Sequence, residues 1–183
     1  MPILGIIASS FRSAAGPEGA YDALATVTLS ASAASITFAG IPSGYKHLQI
    51  RGIARNTSAG GEWLSMDLNG TTATYRHLLF GTGTAAYSQG EANNSRLGVG
   101  VVQGNIASNT FGTAIIDILD YASTTKNKTV RALVGKDLNN ADVGYISLGS
   151  SFFNSTSAVT SVTLKPDENA FDIYSQFALY GIK

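Results

Sequence analysis

Trp63-Leu64-Ser65-Met66-Asp67-Leu68-Asn69-Gly70 is the stretch that decides the fold. Leu64, Met66 and Leu68 alternate with Trp63, Ser65 and Asp67. A period of two puts one set on each face of a strand. Asn69-Gly70 then ends the run with a strong turn signal.

The same period extends in both directions. Upstream, Leu48, Ile50, Gly52 and Ala54 alternate with His47, Gln49, Arg51 and Ile53, after the turn residues Ile41-Pro42-Ser43-Gly44. Tyr21, Ala23, Ala25, Val27 and Leu29 alternate at the start of this body, and Ile36 and Phe38 continue after an Ala/Ser turn. Downstream, Tyr75, His77 and Leu79 alternate with Arg76, Leu78 and Phe80. Further strands are expected near Leu97–Gln103, Val130–Val134, Val143–Phe153, Val159–Leu164 and Phe171–Ile182. Thr113–Tyr121 is apolar apart from Asp117 and Asp120, the pattern of a strand covered on both faces. Residues 81–96 are rich in Gly, Ala, Ser and Asn and read as the longest loop, a natural contact surface. Roughly ten or eleven strands and no helical periodicity predict an all-β fold. The expected architecture is an antiparallel β-sandwich of jelly-roll type over residues 21–183.

Residues 1–20 read differently. Ile3, Leu4, Ile6 and Ile7 precede the small residues Ala14-Ala15-Gly16-Pro17. An apolar tip on a small-residue tether predicts an extended N-terminal docking arm, with a first strand of the domain's own sheet as the alternative. The apolar start has no basic residues before it and is too short to span a bilayer, so neither a signal peptide nor membrane insertion is expected.

Composition narrows the function classes. Of 183 residues, 44% are hydrophobic, which is incompatible with a disordered chain. Only 13% are charged, about half the usual share. Twelve basic and twelve acidic residues cancel. Without a basic field there is no counterion-release drive toward nucleic acid, and no nucleic-acid partner is expected. A neutral chain lacks self-repulsion, which favours self-association. The absence of cysteine excludes disulfides, a thiolate nucleophile and thiolate-ligated zinc.

No motif for catalysis stands out. His47 and His77 sit within strand patterns, and no Gly-x-Ser-x-Gly elbow accompanies them. A glycosidase needs two carboxyl groups at a defined separation. Asp117 and Asp120 have odd spacing and point to opposite faces of a strand, leaving distant residues such as Glu62, Asp67 or Glu91. Asp137-Leu138-Asn139-Asn140-Ala141-Asp142 offers oxygen ligands for calcium, but its spacing departs from a calcium loop and fits a turn better. Gly81-Thr82-Gly83 lacks the lysine of a phosphate loop. No catalytic residue, metal or cofactor is therefore expected. Trp63, Tyr75 and Tyr87 are candidates for stacking on glycan rings, with ordinary packing as the alternative. Asp117 and Arg131 each interrupt an apolar strand. Folding the Ala122–Lys128 loop about residue 124 sets them opposite one another, which predicts a structural ion pair beside buried neighbours.

Five stretches carry a family resemblance. They are Pro2-Ile3-Leu4-Gly5-Ile6-Ile7-Ala8-Ser9; Tyr21-Asp22-Ala23-Leu24-Ala25-Thr26-Val27-Thr28 leading to Ile36-Thr37-Phe38; Tyr45-Lys46-His47-Leu48-Gln49-Ile50-Arg51; Ile115-Ile116-Asp117-Ile118-Leu119-Asp120-Tyr121; and Phe177-Ala178-Leu179-Tyr180-Gly181-Ile182-Lys183. Together they span nearly the whole chain and resemble small bacteriophage virion structural proteins of the tail-fibre, minor-tail or capsid-decoration type. The resemblance implies a non-enzymatic virion component, most simply a tail-fibre or tail-tip part. Such a part would dock through Ile3, Leu4, Ile6 and Ile7 on another virion protein or a neighbouring subunit. It also implies a homo-oligomer, with a trimer favoured. A capsid decoration protein and a carbohydrate-binding module for host glycans are the alternatives.

Overall fold

A computed structural model of the chain describes residues 19–60, 63–82, 85–137 and 144–183. Among them are twelve strands and no helix. They are β1 (Tyr21–Thr28), β2 (Ile36–Ala39), β3 (His47–Ala54), β4 (Trp63–Leu68), β5 (Tyr75–Thr82) and β6 (Ala85–Ala92). The others are β7 (Arg96–Val99), β8 (Gly112–Leu119), β9 (Lys128–Lys136), β10 (Tyr145–Phe153), β11 (Ser161–Pro166) and β12 (Gln176–Ile182).

Hydrogen bonding sorts them into two antiparallel sheets. The larger runs β1-β12-β3-β8-β9-β10-β5-β6, and the smaller runs β2-β11-β4-β7. Inward-facing residues of both meet in one core: Leu48, Ile50, Ile116, Ile118, Val130 and Phe177 from the large sheet, Leu64, Met66, Val162 and Leu164 from the small one. The chain is thus an antiparallel β-sandwich, as its alternation predicts.

Loops are tied down by polar side chains that the sandwich buries. The Arg55 guanidinium donates to the carbonyls of Gly104, Ile106, Ala107 and Thr110, which pins the segment between β7 and β8. The Lys128 ammonium donates to the carbonyls of Ser123, Lys126 and Thr156, joining the β8–β9 turn to the segment after β10. A buried cation with three carbonyl acceptors keeps its hydrogen bonds without a carboxylate partner.

Two sequence expectations need correction. Residues 81–96 are not a long loop: β5 extends through Thr82, β6 occupies Ala85–Ala92, and β7 opens at Arg96. β6 is the edge of the large sheet, and its side chains are exposed or half-buried on both faces. A strand with no buried face carries no apolar alternation, so its composition mimics a loop. Nor do the described residues cover Thr113–Tyr121 on both faces. Ala114, Ile116 and Ile118 are buried, whereas Ile115 and Leu119 lie open on the outside.

Candidate functional site

The outer face of the large sheet is unusual in what it leaves exposed. Strand register aligns its side chains in rows across β8, β9, β10 and β5. One row is Ile115, Leu133, Leu148 and Leu79, each directly opposite the next. All four are exposed, Leu79 by 53%. The next row is Asp117, Arg131, Ser150 and His77. The third is Leu119, Thr129, Phe152 and Tyr75. On the other side of the aliphatic row lie Thr113, Gly135, Ile146 and Gly81, with Ile53 beyond Thr113. Ile146 is 62% exposed.

These rows make relief. A groove of about 540 Å³ lies along the polar row, with Leu79 and Leu148 on one side and Leu119 and Thr129 on the other. Arg131, Ser150 and His77 line it. An aliphatic ridge and a polar-floored groove therefore run side by side across the strands, about 7 Å apart by the strand repeat.

Two members of the polar row, Asp117 and Arg131, are paired with each other. Arg131 Nη2 donates to Asp117 Oδ2 at 2.9 Å. Gln49 Nε2 donates to Asp117 Oδ1 at 2.8 Å, and Arg51 Nε donates to Gln49 Oε1 at 2.6 Å. The Arg51 guanidinium also lies 5.1 Å and 5.2 Å from the rings of Tyr21 and Tyr180. The Asp117 and Arg131 charges are thus spent on one another, and that pair sits on the outside of the sheet. Arg131 is 64% exposed in its side chain and Asp117 only 16%. The buried setting read from the neighbours of Asp117 was misplaced, since those neighbours face inward and Asp117 faces outward.

The three aromatic candidates do not form one platform. Tyr75 lies on the outer face, its ring 4.9 Å from that of His77. Tyr87 stands opposite Phe80 on the other face of the β5–β6 hairpin, stacked on it at 5.3 Å. It belongs to a strand and not to the loop in which its polar neighbours placed it. Trp63 meets the same Phe80 edge-on at 6.1 Å. The guanidinium groups of Arg76 and Arg96 lie 5.7 Å and 5.3 Å from the Trp63 ring, and Arg76 pairs with Glu91 at 2.7 Å. Trp63, Phe80 and Tyr87 therefore form a second cluster beside the edge strand β7, with Tyr75 turned away from it.

His47 is accounted for by the fold: its Nδ1 accepts the Asp120 backbone N–H at 3.0 Å. Ile3, Leu4, Ile6 and Ile7 lie outside the described residues, as do the ligand candidates of the 138–143 stretch. The residues that dominate the face, Leu133, Ile146, Leu148 and Phe152, gave no signal in the sequence. On β10 the alternation runs opposite to burial, with Ser147, Gly149 and Ser151 inward and Ile146, Leu148 and Phe152 outward, and on the outer face of β9 Leu133 stands among Thr129, Arg131 and Gly135, so period alone does not tell inside from outside.

No family model matches the chain, and no curated protein or solved structure matches it.

Proposed function

We propose that the chain is a non-enzymatic structural component of a phage virion. It works as a tail-fibre or tail-tip appendage protein that docks through Ile3, Leu4, Ile6 and Ile7 and assembles with other virion proteins and with copies of itself. The observation that carries this reading is the exposed apolar face of the large sheet. Rows of aliphatic and aromatic side chains in strict register, with Asp117 and Arg131 paired among them, are what a surface covered by protein looks like. A soluble partner-free domain would carry polar side chains at those positions.

The strand order supports a jelly roll. With the insertions β5–β6 and β9–β10 set aside, β1-β12-β3-β8 faces β2-β11-β4-β7. The chain then visits the two sheets in the sequence of a double Greek key, with first and last strands adjacent. This is the architecture that the resemblance to virion proteins implies.

Labelling tests the placement. An antibody raised against the chain, applied to purified particles from cells that carry its gene, is expected to decorate the tail tip or fibres under the electron microscope. Label on the capsid surface would favour a decoration protein instead. Particles free of the chain would overturn the proposal. The Trp63–Phe80–Tyr87 cluster favours glycan contact as a second role, which a glycan array with Tyr87→Ala as the control would read.

A further inference from the structure

We infer that the outer face of the large sheet is a two-fold interface with a second copy of this chain. The inference rests on reading that face as a protein contact. It goes further by naming the occupant and the way it sits.

The first argument is area. Ile53, Tyr75, Leu79, Ile115, Leu119 and Leu133, with Ile146, Leu148 and Phe152, are exposed by 39% to 62%. At about 200 Å² for a large apolar residue, they offer on the order of 800 Å². That is about what each partner contributes to a stable interface. The largest apolar patch on an ordinary monomer covers roughly 300–600 Å².

The second argument is shape. Place a two-fold axis in the plane of the interface, parallel to the rows and midway between ridge and groove. The ridge of each copy then enters the groove of the other. Leu148 comes over Ser150, and Leu79 over His77. The outermost rows also exchange, so that Tyr75 comes over Gly81 and Phe152 over Ile146. A large side chain meets a small one at Leu148 over Ser150 and at Tyr75 over Gly81, while Ile115 and Leu133 come over the Asp117–Arg131 pair. The two sheets would lie aligned at about 10 Å, the ordinary geometry of a sandwich. A surface that complements itself in this way closes as a dimer and leaves no open end.

The third argument is charge. A contact between copies brings identical charges together, which opposes association unless each is already neutralised. Here Arg131 and Asp117 are paired within one copy, Gln49 holds the second carboxylate oxygen, and the chain as a whole has a net charge of zero. Arg51, opposite Ile115 at the β3 end of the ridge, is held by Gln49 and by the rings of Tyr21 and Tyr180 at the margin of the contact.

Sedimentation of the full chain over a concentration series tests this. The expected result is a species of twice the chain mass. Leu148→Asp on the ridge and Ser150→Trp in the groove are each expected to weaken it by roughly 30-fold or more. Ser150→Trp is the sharper probe, because it adds apolar surface and destroys only the fit. A cooperative thermal melt would show that a variant folds; if Leu148→Asp has none, Leu148→Ser takes its place. Because the chain has no cysteine, Ser150→Cys gives a single thiol. A short bis-maleimide is expected to join two copies there and not at Tyr174→Cys. A monomer at high micromolar concentration, a trimer, or a dimer indifferent to both substitutions would overturn the inference. A face-dependent dimer that is absent from purified particles would leave it intact and defeat only the virion reading.

Discussion

Asp117 accepts hydrogen bonds from both Arg131 and Gln49, whereas Arg131 reaches Asp117 from a largely exposed position. The two residues should therefore respond unequally to removal. At concentrations where the chain is monomeric, Arg131→Ala loses an exposed ion pair, worth about 0.2–1 kcal/mol. Asp117→Ala also strands the Gln49 amide and is expected to cost more, about 1–2 kcal/mol. The double mutant should fall short of the sum, and urea denaturation of the four proteins measures it. Equal losses from the two single changes would contradict this account. The pairing itself was legible from the hairpin spacing, but the exposure was not, because it depends on which face the strand buries. Tyr121 gives a pH-dependent counterpart. Its ring is fully buried and its hydroxyl donates to the Pro42 carbonyl. Burial raises its pKa above 10.0, with the backbone hydrogen bond from Tyr45 opposing. The folded state thus holds the proton after the unfolded chain has begun to lose it. The contribution is complete below pH 10.0 and is lost as pH rises from there toward the folded pKa. Stability measured across roughly pH 9 to 11 is expected to fall, and to fall less steeply in Tyr121→Phe. Identical slopes would show that other groups govern the alkaline limit.

Strands differ in how plainly the sequence announces them, and the difference follows from burial. β4 buries Leu64, Met66 and Leu68, and its alternation is unmistakable. β6 buries nothing fully, and Ala85–Ala92 reads as a loop because a period needs one face in oil and one in water. β8 fails in the opposite sense. Ile115 and Leu119 are as apolar as Ile116 and Ile118, so the sequence predicts two covered faces while the described residues cover one. The proposed contact between copies resolves that conflict, since it would cover the second face. Glycines mark where elements approach too closely for a side chain. A Cβ at Gly52 of β3 would lie 2.2 Å from the Phe177 ring of β12, and one at Gly98 would lie 2.3 Å from Val134. Such sites are invisible to pattern reading, because the neighbour that excludes the side chain is far away in sequence.

At the scale of the whole molecule, the first strand is held by the last. Among the described residues β1 pairs with β12 alone, from Tyr21↔Ile182 to Thr28↔Gln176, and β12 in turn pairs with β3 from Gln176↔Ile53 to Ile182↔His47. Phe177 and Leu179 of β12 are buried in the core, and Phe177 packs on Phe171 at 5.4 Å. Removing Gln176–Lys183 would therefore do three things at once. It would empty two large core positions, at about 2–5 kcal/mol each. It would leave β1 without a partner, and it would expose the backbone groups of β3 along the middle of the sheet. Against a total stability of about 5–15 kcal/mol, those losses leave no folded state. The expected outcome for a chain ending at Ser175 is the loss of a cooperative thermal transition, read by circular dichroism and calorimetry. Adding the missing octapeptide in excess should restore part of the transition, because a peptide that binds only the folded arrangement, between β1 and β3, shifts the equilibrium toward it. A truncated chain that still melts cooperatively within a few degrees of the full one would mean that β12 is peripheral, and that the order of the large sheet is wrong at its β1 end.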